Sequence, residues 1–350
     1  MVTLHNRQGV RAEIVARGAA LASLWLPDRS GAMADVVLGH GDDDARQQGR
    51  AFFGASIGRV AGRIRDARFV LDGAIHALAS ADSHSCLHGG PQGFDTRDWQ
   101  WLDVAPDSAR LQLVSAHGDQ GFPGQLTVTV AYRFDDANGL HVDYSATCDR
   151  PTVVNLTHHP FWNLAGEGAG SVEAHQLTVP ASTMLALDDT LLPTGQRLGV
   201  AHTAFDFRTA RAVGEGLRDT HDRQLRAAGG YDHYWILDEA ADSQLRPTAR
   251  LCDPHSGRVL ELLSNQPGVQ IYSGNFLDGS ASGRSGRPYR AHAAICLEPQ
   301  GFPDAPNQPT FPSIRLQPGQ TWRNHILYRF SCLPASFAAN AAHAETGICE

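Results

Sequence analysis

The sequence contains no lysine: all 29 basic residues in the 350-residue chain are arginine. Chemistries that depend on a lysine side chain are therefore excluded, among them the P-loop, the Schiff base and the pyridoxal phosphate site. The chain also lacks an apolar run of membrane-spanning length, and its start has no basic segment followed by an apolar one. We therefore expect a cytoplasmic protein with no membrane partner.

An excess of positive charge is also absent. The net charge is -8 with a pI near 6.1, and the arginines are scattered, which argues against a nucleic-acid partner. The six cysteines are too widely spaced for a zinc knuckle or a redox motif, so we expect reduced thiols.

Strand patterns dominate what is present. Apolar residues alternate with small or polar ones over residues 126–134 and again over 140–146, and the residues between them, 135–139, favour a turn. Shorter apolar runs recur along the chain, and only residues 209–217 resemble a helix. The patterns predict an all-β fold, a large antiparallel β-sandwich with few short helices. The shorter runs lie at residues 67–71, 110–114, 258–263 and 326–330.

No internal repeat or linker divides the chain, so we predict one domain over residues 1–333. Residues 334–350 lose the alternation and are rich in small side chains. This composition predicts a poorly ordered carboxy-terminal tail, with a short helix as the alternative.

Several kinds of active site can be excluded from spacing. The 17 histidines show no metal-ligand spacing, and the adjacent His158 and His159 should point to opposite faces of a strand, so no metal is expected. The serine-hydrolase motif is missing, because the GSASG run at residues 279–283 has no helix after it. No dinucleotide fingerprint occurs in a strand–turn–helix setting, and no cofactor is expected.

Five segments instead combine polar or ionisable residues with aromatics and glycines: IGRVAGRI, CLHGGPQGFD, VVNLTHHPFWNLAG, YDHYWIL and the long run from ICLEPQGFPDAPN to QPGQTW. Together and in this order they resemble the aldose 1-epimerases, also called galactose mutarotases. The resemblance extends over about residues 52–330. It implies the β-supersandwich of that family and an isomerase that interconverts the anomers of a free hexose or pentose.

The resemblance also implies roles for individual residues. His159, within NLTHHPFWNL, corresponds to the histidine that protonates the ring oxygen, and Glu298, within CLEPQ, to the general base. The substrate-holding residues of the family match Arg63, His88, Asp232 and Gln270.

Two positions depart from the family pattern. Gly62 stands where relatives commonly carry a sugar-contacting asparagine, and Pro160 replaces the usual serine. A missing amide should alter sugar preference, because an unpaired hydroxyl in a closed site costs roughly 1–3 kcal/mol.

The proposed chemistry requires Glu298 to be ionised and His159 protonated near neutral pH, and proximity should favour both charges. We expect a small-molecule sugar as substrate and a monomer or weak homodimer. Simpler interpretations remain open: an ion pair between Arg63 and Asp66, a turn-capping role for Asp232, and a solvent-facing Gln270.

Two other functions remain open for this scaffold. A noncatalytic sugar sensor is one, because of Gly62 and Pro160. A glycosidase that uses two carboxylates is the other.

Overall fold

The structure is a computed structural model that describes residues 1–48, 51–81, 84–219, 221–239 and 244–334. Strand makes up 47% of it and helix 8%, which confirms the all-β class. The predicted carboxy-terminal tail lies outside the described residues, except for Pro334. The single domain over residues 1–333 stays a prediction.

Fifteen strands occupy the first half of the described chain. They are β1 (Val2–His5), β2 (Arg11–Val15), β3 (Ala20–Pro27), β4 (Met33–Asp35), β5 (Val37–Leu38), β6 (Ala55–Ile57), β7 (Arg63–Arg65), β8 (Arg68–Leu71), β9 (Ala74–Ala77), β10 (Ser85–Leu87), β11 (Gln100–Ala105), β12 (Ser108–Ser115), β13 (Leu126–Phe134), β14 (Gly139–Cys148) and β15 (Thr152–Val153).

Fifteen more strands follow in the described second half. They are β16 (Thr157–His159), β17 (Phe161–Trp162), β18 (Gln176–Thr178), β19 (Thr183–Leu187), β20 (Pro193–Gly199), β21 (Arg211–Ala212), β22 (Asp232–Ile236), β23 (Arg246–Cys252), β24 (Arg258–Ser264), β25 (Gly268–Tyr272), β26 (Asp278–Ser282), β27 (Pro288–Arg290), β28 (Ile295–Gln300), β29 (Arg315–Leu316) and β30 (Trp322–Cys332).

Two large antiparallel sheets form the sandwich. One has nine strands in the order β11-β12-β13-β14-β30-β24-β23-β18-β21, and the other has seven in the order β20-β19-β22-β25-β28-β17-β5. The largest apolar cluster joins their inner faces, since it contains Val128 and Leu260 from the first sheet and Trp235, Ile271 and Leu297 from the second. This packing confirms the predicted sandwich.

The predicted hairpin is β13 and β14, which pair from Leu126 opposite Cys148 to Phe134 opposite Leu140. Asp135 closes the turn, because its carboxylate accepts the backbone N–H groups of Ala137 and Gly139. The four shorter apolar runs also lie largely within strands, namely β8, β12, β24 and β30.

The described helices are short, at Asp43–Gln48, Val213–Leu217 and Arg223–Ala228. The second covers part of the predicted 209–217 segment, and the other two were not predicted. The third helix is capped at both ends: Asp222 accepts the backbone N–H of Leu225, and Gly229 ends the helix in the left-handed conformation. None of the helices in the described ranges is long and apolar enough to cross a membrane.

Candidate active site

A cavity of about 620 Å³ lies beside the seven-stranded sheet and receives side chains from several loops. Neighbouring strands of this sheet place Gln270 of β25 opposite Glu298 of β28, and Tyr234 of β22 opposite Gln270. All six residues that the sequence singles out line this cavity. They are Arg63, His88, His159, Asp232, Gln270 and Glu298.

His159 and Glu298 meet at the buried end of the cavity. Nε2 of His159 lies 3.4 Å from Oε1 of Glu298, and the two side chains are only 4% and 2% exposed. His159 ends β16, which pairs with β6, whereas Glu298 lies in β28. Among the described residues, Nδ1 of His159 and Oε2 of Glu298 have no hydrogen-bond partner. Buried polar atoms normally have one, so the protein leaves the hydrogen bonding of this pair incomplete.

The charge states differ from the sequence expectation. Burial lowers the pKa of His159 to about 4. Burial also raises the pKa of Glu298 well above its usual range; the Asp232 carboxylate adds to this shift and Arg63 opposes it. These shifts oppose the expected imidazolium and carboxylate, because burial removes both charges from water.

Aromatic rings hold the imidazole of His159 in place. It stacks on Phe161 with ring centroids 5.0 Å apart and on Phe52 at 5.9 Å. The ring of His88 meets it edge-on at 5.5 Å. These contacts fix the plane in which His159 can exchange a proton.

His88 has a defined tautomer. Its backbone is left-handed, with φ of 51°, and its Nδ1 accepts the backbone N–H of Gly62 at 3.2 Å. A neutral imidazole that accepts at Nδ1 carries its proton on Nε2. His88 therefore has an N–H donor on the other side of its ring.

Asp232 joins the remaining predicted residues into one network. Nε2 of Gln270 donates to Oδ1 of Asp232 at 2.7 Å, and Nη1 of Arg63 lies 3.5 Å from Oδ2. Three simpler interpretations are thereby wrong: Asp66 pairs with Arg68 instead of Arg63, Asp232 belongs to β22 instead of a turn, and Gln270 faces the cavity.

The two departures from the family pattern lie beside this network. Gly62 has φ of +75°, and a Cβ there would stand 3.0 Å from Cβ of Pro303. Pro160 lies between β16 and β17 and is buried. Gly62 is therefore closely packed against Pro303 and Gln300 of the cavity lining, whereas Pro160 directly follows His159 in the chain.

Several other residues that line the cavity were not singled out from the sequence. Phe52, Phe161 and Tyr272 contact the cavity, as does Gln300, which lies two positions after Glu298 in the same strand. Side chains two apart in a strand share a face, so this spacing could have identified Gln300. Among the described residues, no group of three His, Cys, Asp or Glu side chains could hold a metal ion.

Comparison with known proteins gives a consistent result. The family model described as aldose 1-epimerase matches residues 1–329. Galactose mutarotase from Bos taurus is 39% identical over 322 residues, covering 92% of this chain and 91% of the relative. Aldose 1-epimerase from Escherichia coli K12 is 36% identical over 333 residues, covering 94% of each.

A solved structure shares the fold closely. The GalM/aldose epimerase homologue from C. elegans superposes with a TM-score of 0.87 at 32% identity, covering 95% of this chain and 98% of that one.

Proposed function

Because this chain belongs to the aldose 1-epimerase family and is therefore an isomerase, we propose that it interconverts the α and β anomers of a free hexose or pentose. His159 acts as the acid on the ring oxygen and Glu298 as the base on the anomeric hydroxyl. The observation that carries this proposal is the buried contact of 3.4 Å between the two side chains, each with an unpartnered atom at the cavity.

Ring opening moves two protons. The Glu298 carboxylate takes the proton of the anomeric hydroxyl, and the C1–O1 bond becomes the aldehyde carbonyl as the bond from C1 to the ring oxygen breaks. The His159 imidazolium gives its proton to the departing ring oxygen, which becomes a hydroxyl. Rotation about C1–C2 then presents the other face of the aldehyde, and the reverse transfers close the ring as the other anomer.

The pKa directions support this sequence. Opening converts an imidazolium and a carboxylate into an imidazole and a carboxylic acid, and burial shifts the pKa of both His159 and Glu298 toward these uncharged forms. The buried site therefore favours the open-chain state. The charged starting pair, the His159 imidazolium and the Glu298 carboxylate, holds as many protons as the uncharged pair. The two pairs differ only by the transfer of one proton between the two side chains. Sugar hydroxyls that donate to Glu298 favour it.

The other four residues are proposed to hold the sugar. Asp232 accepts from ring hydroxyls, and Arg63 and Gln270, which already contact Asp232, donate to neighbouring ones. The Nε2–H of His88 donates to a sugar oxygen close to His159. Because these groups are positioned before the sugar arrives, less ordering is needed on binding.

Polarimetry or NMR on freshly dissolved single anomers tests the activity. A panel of glucose, galactose, xylose and arabinose also identifies the preferred sugar, after subtraction of the spontaneous rate. Purified protein is expected to accelerate equilibration of at least one of them. A complete lack of acceleration, together with tight sugar binding by calorimetry, would show that the protein is a sugar sensor.

A further inference from the structure

Gln300 carries a buried amide that the proposed chemistry does not use. The residue is 1% exposed and lines the cavity, yet neither its Nε2 nor its Oε1 has a hydrogen-bond partner among the described residues. An amide in this position loses its bonds to water and gains none from the protein, which is unfavourable unless a ligand supplies them.

The strand places this amide close to the reacting pair. Gln300 and Glu298 lie two positions apart in β28, so their side chains leave the same face of the sheet. Gly268, which has no side chain, lies opposite Gln300, and Tyr234 fills the space there and donates to the backbone carbonyl of Gln300 at 2.8 Å. The main chain at Gln300 is thus bonded, and only its side-chain amide is unsatisfied.

Gly62 lies next to this amide but offers it no side chain. A Cβ at position 62 would stand 3.6 Å from Nε2 of Gln300 and 3.0 Å from Cβ of Pro303. Any larger side chain at this position would begin within contact distance of the amide. Because Gly62 has no side chain, no protein group at this position satisfies the Gln300 amide, and its donor and acceptor are left for a ligand in the cavity that Gln300 lines.

We propose that Gln300 is a sugar-binding residue that determines specificity. Its Nε2 donates to one ring hydroxyl, and its Oε1 accepts from a neighbouring one, in the cavity that Gln300 lines. An amide has one donor end and one acceptor end, so it suits two adjacent hydroxyls. The proposal rests on the proposed function for the class of ligand, because it requires the cavity to bind an aldose ring.

The test uses sugars that bind but cannot open. A 1,5-anhydrohexitol lacks the anomeric hydroxyl, so its affinity reports binding without turnover. Calorimetry would compare 1,5-anhydro-D-glucitol and 1,5-anhydro-D-galactitol, with their monodeoxy derivatives, against the wild type, Gln300→Met and Gln100→Met. Gln100 is an exposed residue on β11, at the edge of the nine-stranded sheet, and serves as the matched control.

Gln300→Met is expected to weaken binding of the better anhydrohexitol about tenfold, which corresponds to about 1.4 kcal/mol. The loss should be smaller for the two derivatives that each lack one of two adjacent hydroxyls, because the other hydroxyl still bonds to the amide, and unchanged for the remaining derivatives. Gln100→Met should bind like the wild type. Affinities of Gln300→Met within twofold of wild type, or an equal loss for every derivative, would overturn the proposal.

A measurement on the wild type covers the case in which Gln300→Met does not fold. The side-chain amide protons of Gln300 are expected to shift in the NMR spectrum when the anhydrohexitol is added, and unchanged shifts at saturation overturn the proposal. The two proposals fail separately. Absent mutarotation removes the enzymatic function and leaves these binding results standing, whereas unchanged binding in Gln300→Met removes only the role of Gln300.

Discussion

Strand β16 presents two adjacent histidines to two different regions of the molecule. His158 faces the core side, where its Nδ1 lies 3.2 Å from the hydroxyl of Tyr328 and its Nε2 lies 3.3 Å from that of Tyr132. His159 faces the cavity and Glu298. Both rings are buried, and burial lowers the pKa of His158 to about 3 and that of His159 to about 4.

The difference between the two regions is whether hydrogen bonding is complete. Around His158 both ring nitrogens have hydroxyl partners, and the hydroxyl of Tyr132 also donates to the carbonyl of Ala19 at 2.7 Å. At the cavity, Nδ1 of His159 and Oε2 of Glu298 have no partner in the described part of the chain. Burial and a lowered pKa are therefore common to both histidines, and incomplete hydrogen bonding is what distinguishes His159 from His158.

The largest effect is expected from removing the proton carriers. Glu298→Gln and His159→Gln should each lower kcat by about a hundred- to ten-thousand-fold, because each removes one of two coupled proton transfers. The double variant should lose much less than the product of the two factors, since the residues act as a unit. Single-anomer polarimetry measures the rates, and circular dichroism checks folding. Folded single variants with wild-type kcat would contradict the mechanism.

His158→Asn is the matched variant on the other face of β16. It should lower the free energy of unfolding by about 1–3 kcal/mol, because it disrupts the bonds to Tyr132 and Tyr328, while kcat stays within about tenfold of wild type. Urea unfolding and polarimetry measure the two quantities. A loss of kcat as large as in His159→Gln, at unchanged stability, would remove the distinction between the two faces.

The same variant should also change how stability depends on pH. The pKa of His158 is lowered on folding, so its contribution to stability is fully present above about pH 6.5 and is lost as pH falls toward 3. Compared with wild type, His158→Asn should therefore lose less stability on acidification. Equal slopes of unfolding free energy against pH between 4 and 6.5 would contradict a buried neutral His158.

Much of this contrast could be predicted from the sequence. Alternation identified β13, β14 and the sandwich, and the period of a strand predicted that His158 and His159 face opposite ways. Periodicity alone could not bring His88 next to His159, because the contact depends on a left-handed loop residue after β10. The resemblance to the aldose 1-epimerases supplied that grouping.

The charge states of the site and the missing hydrogen bonds of Gln300 could not be predicted in the same way. The pKa shifts of His159 and Glu298 follow from complete burial, which depends on how loops close over the sheet. The spacing from Glu298 could have placed Gln300 at the cavity, but the lack of partners for its amide depends on packing in three dimensions. The two unpredicted helices are too short to show a periodic pattern.

The pH dependence of catalysis sharpens the comparison from the cavity side. His159 and Glu298 together hold one proton when the pair is active. Below the pKa near 4, His159 is also protonated and the pair holds two, so activity should fall about tenfold per pH unit. It should also fall above the raised pKa of Glu298, where the pair loses its proton. Values of kcat/KM measured across pH, after correction for spontaneous mutarotation, give the acid and the alkaline limbs of the pH profile. An acid limb near pH 6.5 would show that His159 is not desolvated.

The smallest effects are expected from changing the charges near Glu298. These charges lie on the side of β16 that faces the cavity and, among the described residues, have no counterpart around His158. The Asp232 carboxylate raises the pKa of Glu298 and Arg63 lowers it. Asp232→Asn should therefore move the alkaline limb of kcat/KM to lower pH, and Arg63→Gln should move it to higher pH. Each variant should also raise KM several-fold, because each loses a hydroxyl partner.

Opposite shifts from two variants that both weaken sugar binding cannot arise from a common loss of packing, so they isolate the electrostatic effect on Glu298. The acid limb, in contrast, should stay near pH 4 in both, because burial is what lowers the pKa of His159. Shifts of the alkaline limb in the same direction would mean that it does not report Glu298. The charged network around Asp232 would then act only in holding the sugar.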